Sequence, residues 1–107
     1  MRRGDIVIAE MQGDANERRR ALVITADQVD TLSRVGLLPS TNFPAEAPLF
    51  RIAIEPAEKT GLATRSYAVL DRLATAPRAK IGKVIGRKYG TTTLAIKRAL
   101  AAFLGNT

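Results

Sequence analysis

The chain has 107 residues, 46% of them hydrophobic and 25% charged, the size and balance of one globular domain with its own core. It contains no cysteine and no histidine, which excludes disulfides, thiolate zinc sites and imidazole acid–base catalysis. The net charge of +7 is lopsided: residues 1–58 carry 7 Lys/Arg against 9 Asp/Glu, whereas residues 59–107 carry 10 Lys/Arg against Asp71 alone. Such a cationic half favours a polyanionic partner through attraction and counterion release.

Met1-Arg2-Arg3-Gly4-Asp5 turns acidic before any long apolar run, so the start does not read as a secretory signal. No apolar run approaches the ~20 residues that span a bilayer. Together with the missing cysteines this fits a cytoplasmic protein without a membrane partner. Asp5 to Met11 is β-branched and apolar, a first strand. Gln12 to Glu17 is polar and turn-prone, and Arg19 to Thr25 reads as a second, buried strand, so an antiparallel hairpin is expected. Asp27 to Leu32 suits a short helical turn. Val35 to Leu38 is a third strand, which Pro39 is expected to stop, with a loop from Ser40 to Pro48. Leu49 to Ile54 and Ser66 to Leu73 are strand-like, separated by a turn over Glu55 to Gly61, and Thr75 to Pro77 is a break. Lys80 to Ile85 alternates charged or small residues with apolar ones, as a half-exposed strand does.

The end of the chain has a different period. Ile96, Leu100, Phe103 and Leu104 fall on one helical face, Thr91 or Thr92 can cap the start, and Gly105 stands where a glycine commonly ends a helix. Many short strands and one packing helix predict a mainly β, small twisted antiparallel barrel or sandwich with a C-terminal helix over an open side.

Five pieces in this order resemble the MazF/PemK family of toxin–antitoxin toxins. They are Arg3-Gly4-Asp5-Ile6, Arg19-Arg20-Ala21-Leu22-Val23-Ile24-Thr25, Leu38-Pro39-Ser40-Thr41, Gly61-Leu62 with Ser66 and Asp71, and Ile81-Gly82-Lys83-Val84 before the last helix. Each is weak alone, but together they span nearly the whole chain. The resemblance implies a five- to seven-stranded SH3-like barrel of the CcdB/MazF type in one domain, usually a homodimer. It also implies sequence-specific cleavage of single-stranded RNA without a metal or other cofactor, leaving a 2′,3′-cyclic phosphate. The implied partner is an antitoxin whose acidic, disordered tail fills the RNA groove.

Cleavage through the RNA's own 2′-hydroxyl needs a base, a cation to steady the phosphorane and an acid for the leaving oxygen. By the resemblance, Arg19 takes the place of the family's catalytic arginine. A guanidinium does not readily lose a proton, so its fitting role is a bidentate contact to the charge that develops. Thr41 matches the family's threonine and could bond a phosphate oxygen, or it could satisfy its own backbone after Pro39, with Ser40 as a substitute. Asp71 matches an acidic position that some members use in catalysis, and could serve as base or pair with a neighbouring cation. Asp14 and Glu17 are weaker base candidates. Arg18, Arg20, Arg65 and Arg72 are candidate RNA contacts, and Phe43 could stack on a base or enter the core. Lys80, Lys83, Arg87 and Lys88 read as solvated faces able to steer phosphate. Two departures stand out: the family's proline after its arginine is Arg20 here, and an arginine that some relatives carry two residues before the Asp71 position is Val69. The rival readings are a CcdB-like binder of DNA gyrase, against which the Trp-free tail counts, and a non-catalytic nucleic-acid-binding barrel.

Overall fold

In a computed structural model, residues 1–10, 18–25, 33–43 and 50–105 are described. Seven strands and one helix follow in the order β1 (Asp5–Glu10), β2 (Arg18–Val23), β3 (Arg34–Thr41), β4 (Arg51–Ile54), β5 (Ser66–Val69), β6 (Ala74–Pro77), β7 (Ile81–Arg87) and α1 (Thr91–Phe103). The sheet order is β4-β5-β3-β2-β1-β7, with β6 added to β3. All pairs are antiparallel, and the β1–β2 hairpin sets Ile6 opposite Leu22 and Ala9 opposite Arg19. The sheet twists towards a barrel, but its ladder is not closed. Between β6 and β7 the chain turns through a 3-10 turn, Arg78–Lys80.

Strand alternation divides the interior in two. Ile6, Leu22, Leu38, Ile54, Leu62, Ala68, Leu70 and Ile96 form the core beneath α1. Val7, Ala9, Ala21, Val23, Val35, Leu37 and Ala76 form a second core on the opposite face. Leu37, Leu38, Leu70, Val7 and Val35 are the largest side chains buried outright, each contributing about 1.5–3 kcal/mol by leaving water.

Three expectations need correction. Pro39 does not end β3, which runs on to Thr41. Gly36 accepts a bond from the Ile24 N–H on the β2 side, so by alternation position 39 aims its N–H at the other edge. That edge pairs with β6 up to Leu37 and with β5 from Ser40. The N–H that proline lacks therefore falls in the gap between two partners, where no ladder bond is lost. Second, the segment read as one strand from Ser66 to Leu73 stops at Val69 in a 3-10 turn, Leu70–Arg72. The supposed break over Thr75 to Pro77 belongs to β6, paired to the first half of β3. Arg34 fastens this pair, its Nε donating to the Thr75 Oγ1 at 2.8 Å and its NH2 to the Thr75 carbonyl at 3.0 Å. Third, neither Thr91 nor Thr92 caps α1. The N-cap is Gly90, at φ +82°, with no side-chain cap bond. Gly105 does end the helix, at φ +75°, its N–H donating to the Ala102 carbonyl. The expected helical turn over Asp27–Leu32 and most of the loop before Pro48 lie outside the described residues.

α1 packs through Ile96, Leu100 and an edge-to-face contact of Phe103 on Phe50, with ring centres 5.2 Å apart. Leu104 instead remains 71% exposed. The turn after β4 docks on β7: Arg87 N–H donates to the Lys59 carbonyl at 2.7 Å. The crossing is so close that a Cβ on Gly86 would collide with the Thr60 carbonyl. Within the turn the buried Thr60 hydroxyl accepts the Ala57 N–H at 3.0 Å and lies 3.2 Å from the Glu55 carbonyl as a donor.

Candidate nucleic-acid site

The register of β2 against β3 sets Ala21 opposite Pro39. Continued by two residues, it brings Arg19 opposite Thr41, and alternation puts both side chains on one face. Two cross-strand bonds secure this corner. Arg19 donates from NH2 to the Ser40 carbonyl at 3.0 Å, and the Ser40 hydroxyl donates to the Arg20 carbonyl at 3.1 Å. The stiffening that a proline at position 20 would supply is thus provided by Ser40. One guanidinium nitrogen of the half-buried Arg19 holds it to β3, and the remaining N–H groups are the part of the fork that can face an anion.

Thr41 Oγ1 accepts the Phe43 N–H at 3.3 Å. The hydroxyl satisfies local backbone, as one reading of the sequence expected, and still has its own proton to donate to an oxygen. Phe43 is 74% exposed, so it does not enter the core. On its other edge Thr41 is paired with Tyr67 of β5, whose ring carries the Arg65 guanidinium 5.5 Å from its centre. Arg65 is held in turn by Glu55 at 3.0 Å, both side chains being more than half exposed. Arg19, Thr41 and Tyr67 therefore form a row across three strands: a cation, a hydroxyl and an aromatic plane.

Asp71 does not join this row. It lies in the 3-10 turn after β5, with its Oδ1 bonded to Arg51 NH1 at 3.0 Å. Arg51 pairs across β4–β5 with Val69, two residues further along β5 than Tyr67. Two strand spacings across and two residues along separate its Cα from that of Thr41 by roughly 12 Å in a flat sheet. Arg51 is on the same face as Thr41 and is the better buried member of its pair, 16% exposed against 41% for Asp71. Its Nε is buried without a hydrogen bond among the described residues.

Of the remaining candidates, Arg18 is exposed and opposite Glu10, Arg20 is exposed beside Ser40, and Arg72 is exposed on the 3-10 turn. Asp14 and Glu17 lie outside the described residues. Reasoning from the sequence missed Arg51 and Tyr67. The signal for both was strand parity: Arg51 lies between the apolar Phe50 and Ile52 and Tyr67 between the buried Ser66 and Ala68, and the register of β3, β5 and β4 was needed to put them on the face of Thr41. No cluster of three or more His, Cys, Asp or Glu able to hold a metal occurs among the described residues, and no described helix is long and apolar enough to cross a membrane.

A twisted antiparallel sheet with a C-terminal helix packed on it, carrying arginine, hydroxyl and aromatic groups on one half-exposed corner, defines a small mainly β protein. A family model described as the PemK-like, MazF-like toxin of type II toxin–antitoxin systems matches residues 2–104, and the chain belongs to that family. It is 40% identical over 106 residues to a Mycolicibacterium smegmatis protein described as "Probable endoribonuclease MazF", covering 98% of this chain and 97% of that one. Among solved structures it resembles the Mycobacterium tuberculosis toxin MazF-mt6 (TM-score 0.82, 21% identity, covering 96% of this chain and 98% of that one). It also resembles a MazE–MazF structure from Deinococcus radiodurans (TM-score 0.78, 18% identity, covering all of this chain and 98% of that one). At these identities the structural likeness speaks to the fold, which is the CcdB/MazF type the sequence led us to expect.

Proposed function

We propose that this chain is a metal-independent endoribonuclease toxin that cuts single-stranded RNA, mRNA included, in the cytoplasm. The reading rests on one observation above the rest: the half-buried Arg19 of β2 is bonded to the Ser40 carbonyl of β3, one residue from Thr41, in a chain 40% identical to a protein described as a probable endoribonuclease. The RNA 2′-oxygen attacks the adjacent phosphorus as its proton passes to solvent water, and the P–O5′ bond breaks as water protonates the leaving oxygen, leaving a 2′,3′-cyclic phosphate and a 5′-hydroxyl. Arg19 neutralises the negative charge that grows on the non-bridging oxygens, a contact worth about 3–4 kcal/mol in the barrier. Thr41 donates its hydroxyl proton to one of those oxygens and fixes the phosphate relative to the guanidinium.

Asp71 serves this site through Arg51. A carboxylate in the turn after β5, already bonded to a guanidinium two strands away from Thr41, is placed to hold Arg51 for a neighbouring phosphate rather than to take the 2′-hydroxyl proton. Tyr67, with Arg65 over its ring, offers a flat surface for the base next to the cut, and Phe43, Arg18, Arg20 and Arg72 are further RNA contacts. The whole chain works as one domain and, like its family, as a homodimer. Its regulator is an antitoxin whose acidic, disordered tail covers the same cations.

The test is incubation of the purified protein with a long unstructured RNA in EDTA, followed by mapping of both new ends. Cuts at a recurrent sequence, with cyclic phosphate on one side and 5′-hydroxyl on the other, are expected. Retarded but uncut RNA would leave only a binding barrel.

A further inference from the structure

The cations of the C-terminal part are only partly used by the corner around Arg19. Several of them gather at the other end of β1. There the docked turn after β4 and the end of β7 enclose a concave pocket of about 540 Å³, lined by Ala57, Lys59, Thr60, Arg87, Lys88 and Tyr89. Arg87 stacks on Tyr89, its guanidinium carbon 4.8 Å from the ring centre, and donates to the Arg3 carbonyl at 3.0 Å. The acid facing this group is Asp5, which is engaged by Arg87 at 3.4 Å and by the Arg2 N–H at 2.7 Å. Glu58 is next to Lys59 in sequence and exposed. Lys59 and Lys88 form no ion pair with a described carboxylate, although Lys88 is half-buried.

β7 joins this pocket to the Arg19 corner. It starts opposite Ala9, the residue that faces Arg19, and ends opposite Asp5. The Arg18 guanidinium reaches its first turn, beside Gly82. β7 is an edge strand, with Lys80 tied to Glu10 at 3.3 Å and Lys83 exposed with no ion pair among the described residues. Lysines on an edge also discourage pairing between molecules, which accounts for Lys83. It does not account for Lys59 and Lys88, which come from a turn and a strand end and converge on one hollow.

We propose that this pocket is a second phosphate-binding site for the RNA, reached along β7 from the cutting corner, with Lys59 and Lys88 contacting phosphodiester oxygens. Four residues of β1 separate its two ends, about 13 Å, so a single strand held at Arg19 reaches the pocket within the ~4–16 nucleotides that small barrels cover. The site adds affinity for long RNA without reading bases. The proposal rests on RNA being the substrate, and its binding arm below does not require cleavage.

The test is the double variant Lys59→Ala/Lys88→Ala, with Lys97→Ala/Arg98→Ala on α1 as a control of equal charge loss. Binding is measured with a long 2′-O-methylated RNA, which lacks the attacking hydroxyl, across a salt series. Removing two phosphate contacts should reduce the slope of log affinity against log salt by about 1.4, at ~0.7 per contact on a single strand. In cleavage, kcat/KM on a long RNA should fall about tenfold further than on a short oligonucleotide that only spans the cut, through KM rather than kcat. The control pair should alter neither the slope nor the long-to-short ratio. An unchanged slope, equal losses on both substrates, or a changed oligomeric state would overturn the proposal. So would a loss of affinity for the acidic antitoxin with RNA binding intact.

Discussion

Substitution of Asp71 separates two chemistries that resemble each other in an alanine scan. Asp71→Ala removes the acceptor of Arg51 NH1 and leaves a guanidinium that is 16% exposed, with an Nε that already has no hydrogen bond among the described residues. Exposed ion pairs contribute about 0–1 kcal/mol, and breaking a fully buried one costs about 3–5 kcal/mol. Because Asp71 is 41% exposed, water can take its place, so the cost should be about 1–2 kcal/mol. With ~2.1 cal/mol/K of unfolding entropy per residue, that lowers the melting temperature by roughly 4–9 °C. Asp71→Asn keeps an oxygen in reach of Arg51 and should cost about half as much. In steady-state cleavage of a fluorogenic oligonucleotide, Asn should raise KM severalfold and keep kcat within about tenfold, because it still orients Arg51. A general base replaced by an amide would instead lose about 10²–10⁴ in kcat. A loss of that size in Asp71→Asn, with its melting temperature near the parent's, would refute the positioning role and restore Asp71 as the proton acceptor.

Thr41→Val keeps the volume and removes the hydroxyl. Cleavage should slow about 10- to 100-fold, with a melting shift of only a few degrees from the lost bond to Phe43 N–H. Gly86→Ala would drive a methyl into the Thr60 carbonyl, and should destabilise the fold by about 3 kcal/mol in urea titration, shifting the midpoint without changing the slope. EDTA at millimolar levels should leave the cleavage rate unchanged, in keeping with the charge stabilisation assigned to Arg19.

The frame was legible in the sequence wherever burial imposed a strong pattern. The apolar, β-branched runs of β1 and β2 could face only a core, and the spacing of Ile96, Leu100 and Phe103 specified one side of α1. What stayed hidden were strands defined by pairing rather than by hydrophobicity. β6 is Ala-Thr-Ala-Pro and exists because β3 has a free edge and Arg34 reaches Thr75. Pro39 reads as a stop unless the change of partner at that edge is known. The site divided in the same way. Arg19 and Thr41 came from the family resemblance, and their adjacency needed the β2–β3 register. Asp71 matched a family motif but acquired a partner, Arg51, that lies outside the five pieces carrying the resemblance. Arg51, Tyr67 and the Lys59–Lys88 hollow depend on which distant strands lie side by side, and local sequence carries no record of that.

Arg19 is the residue whose removal should affect cleavage most directly. Arg19→Ala gives up one bond to the Ser40 carbonyl at a half-buried position, so the melting temperature should fall by only a few degrees, about 1 kcal/mol at most. Single-turnover cleavage of a short RNA should nevertheless drop about 10²–10³-fold, and Arg19→Lys, which restores the charge without the fork, should recover only part of it. Cleavage by Arg19→Ala at the parent rate would contradict the central claim.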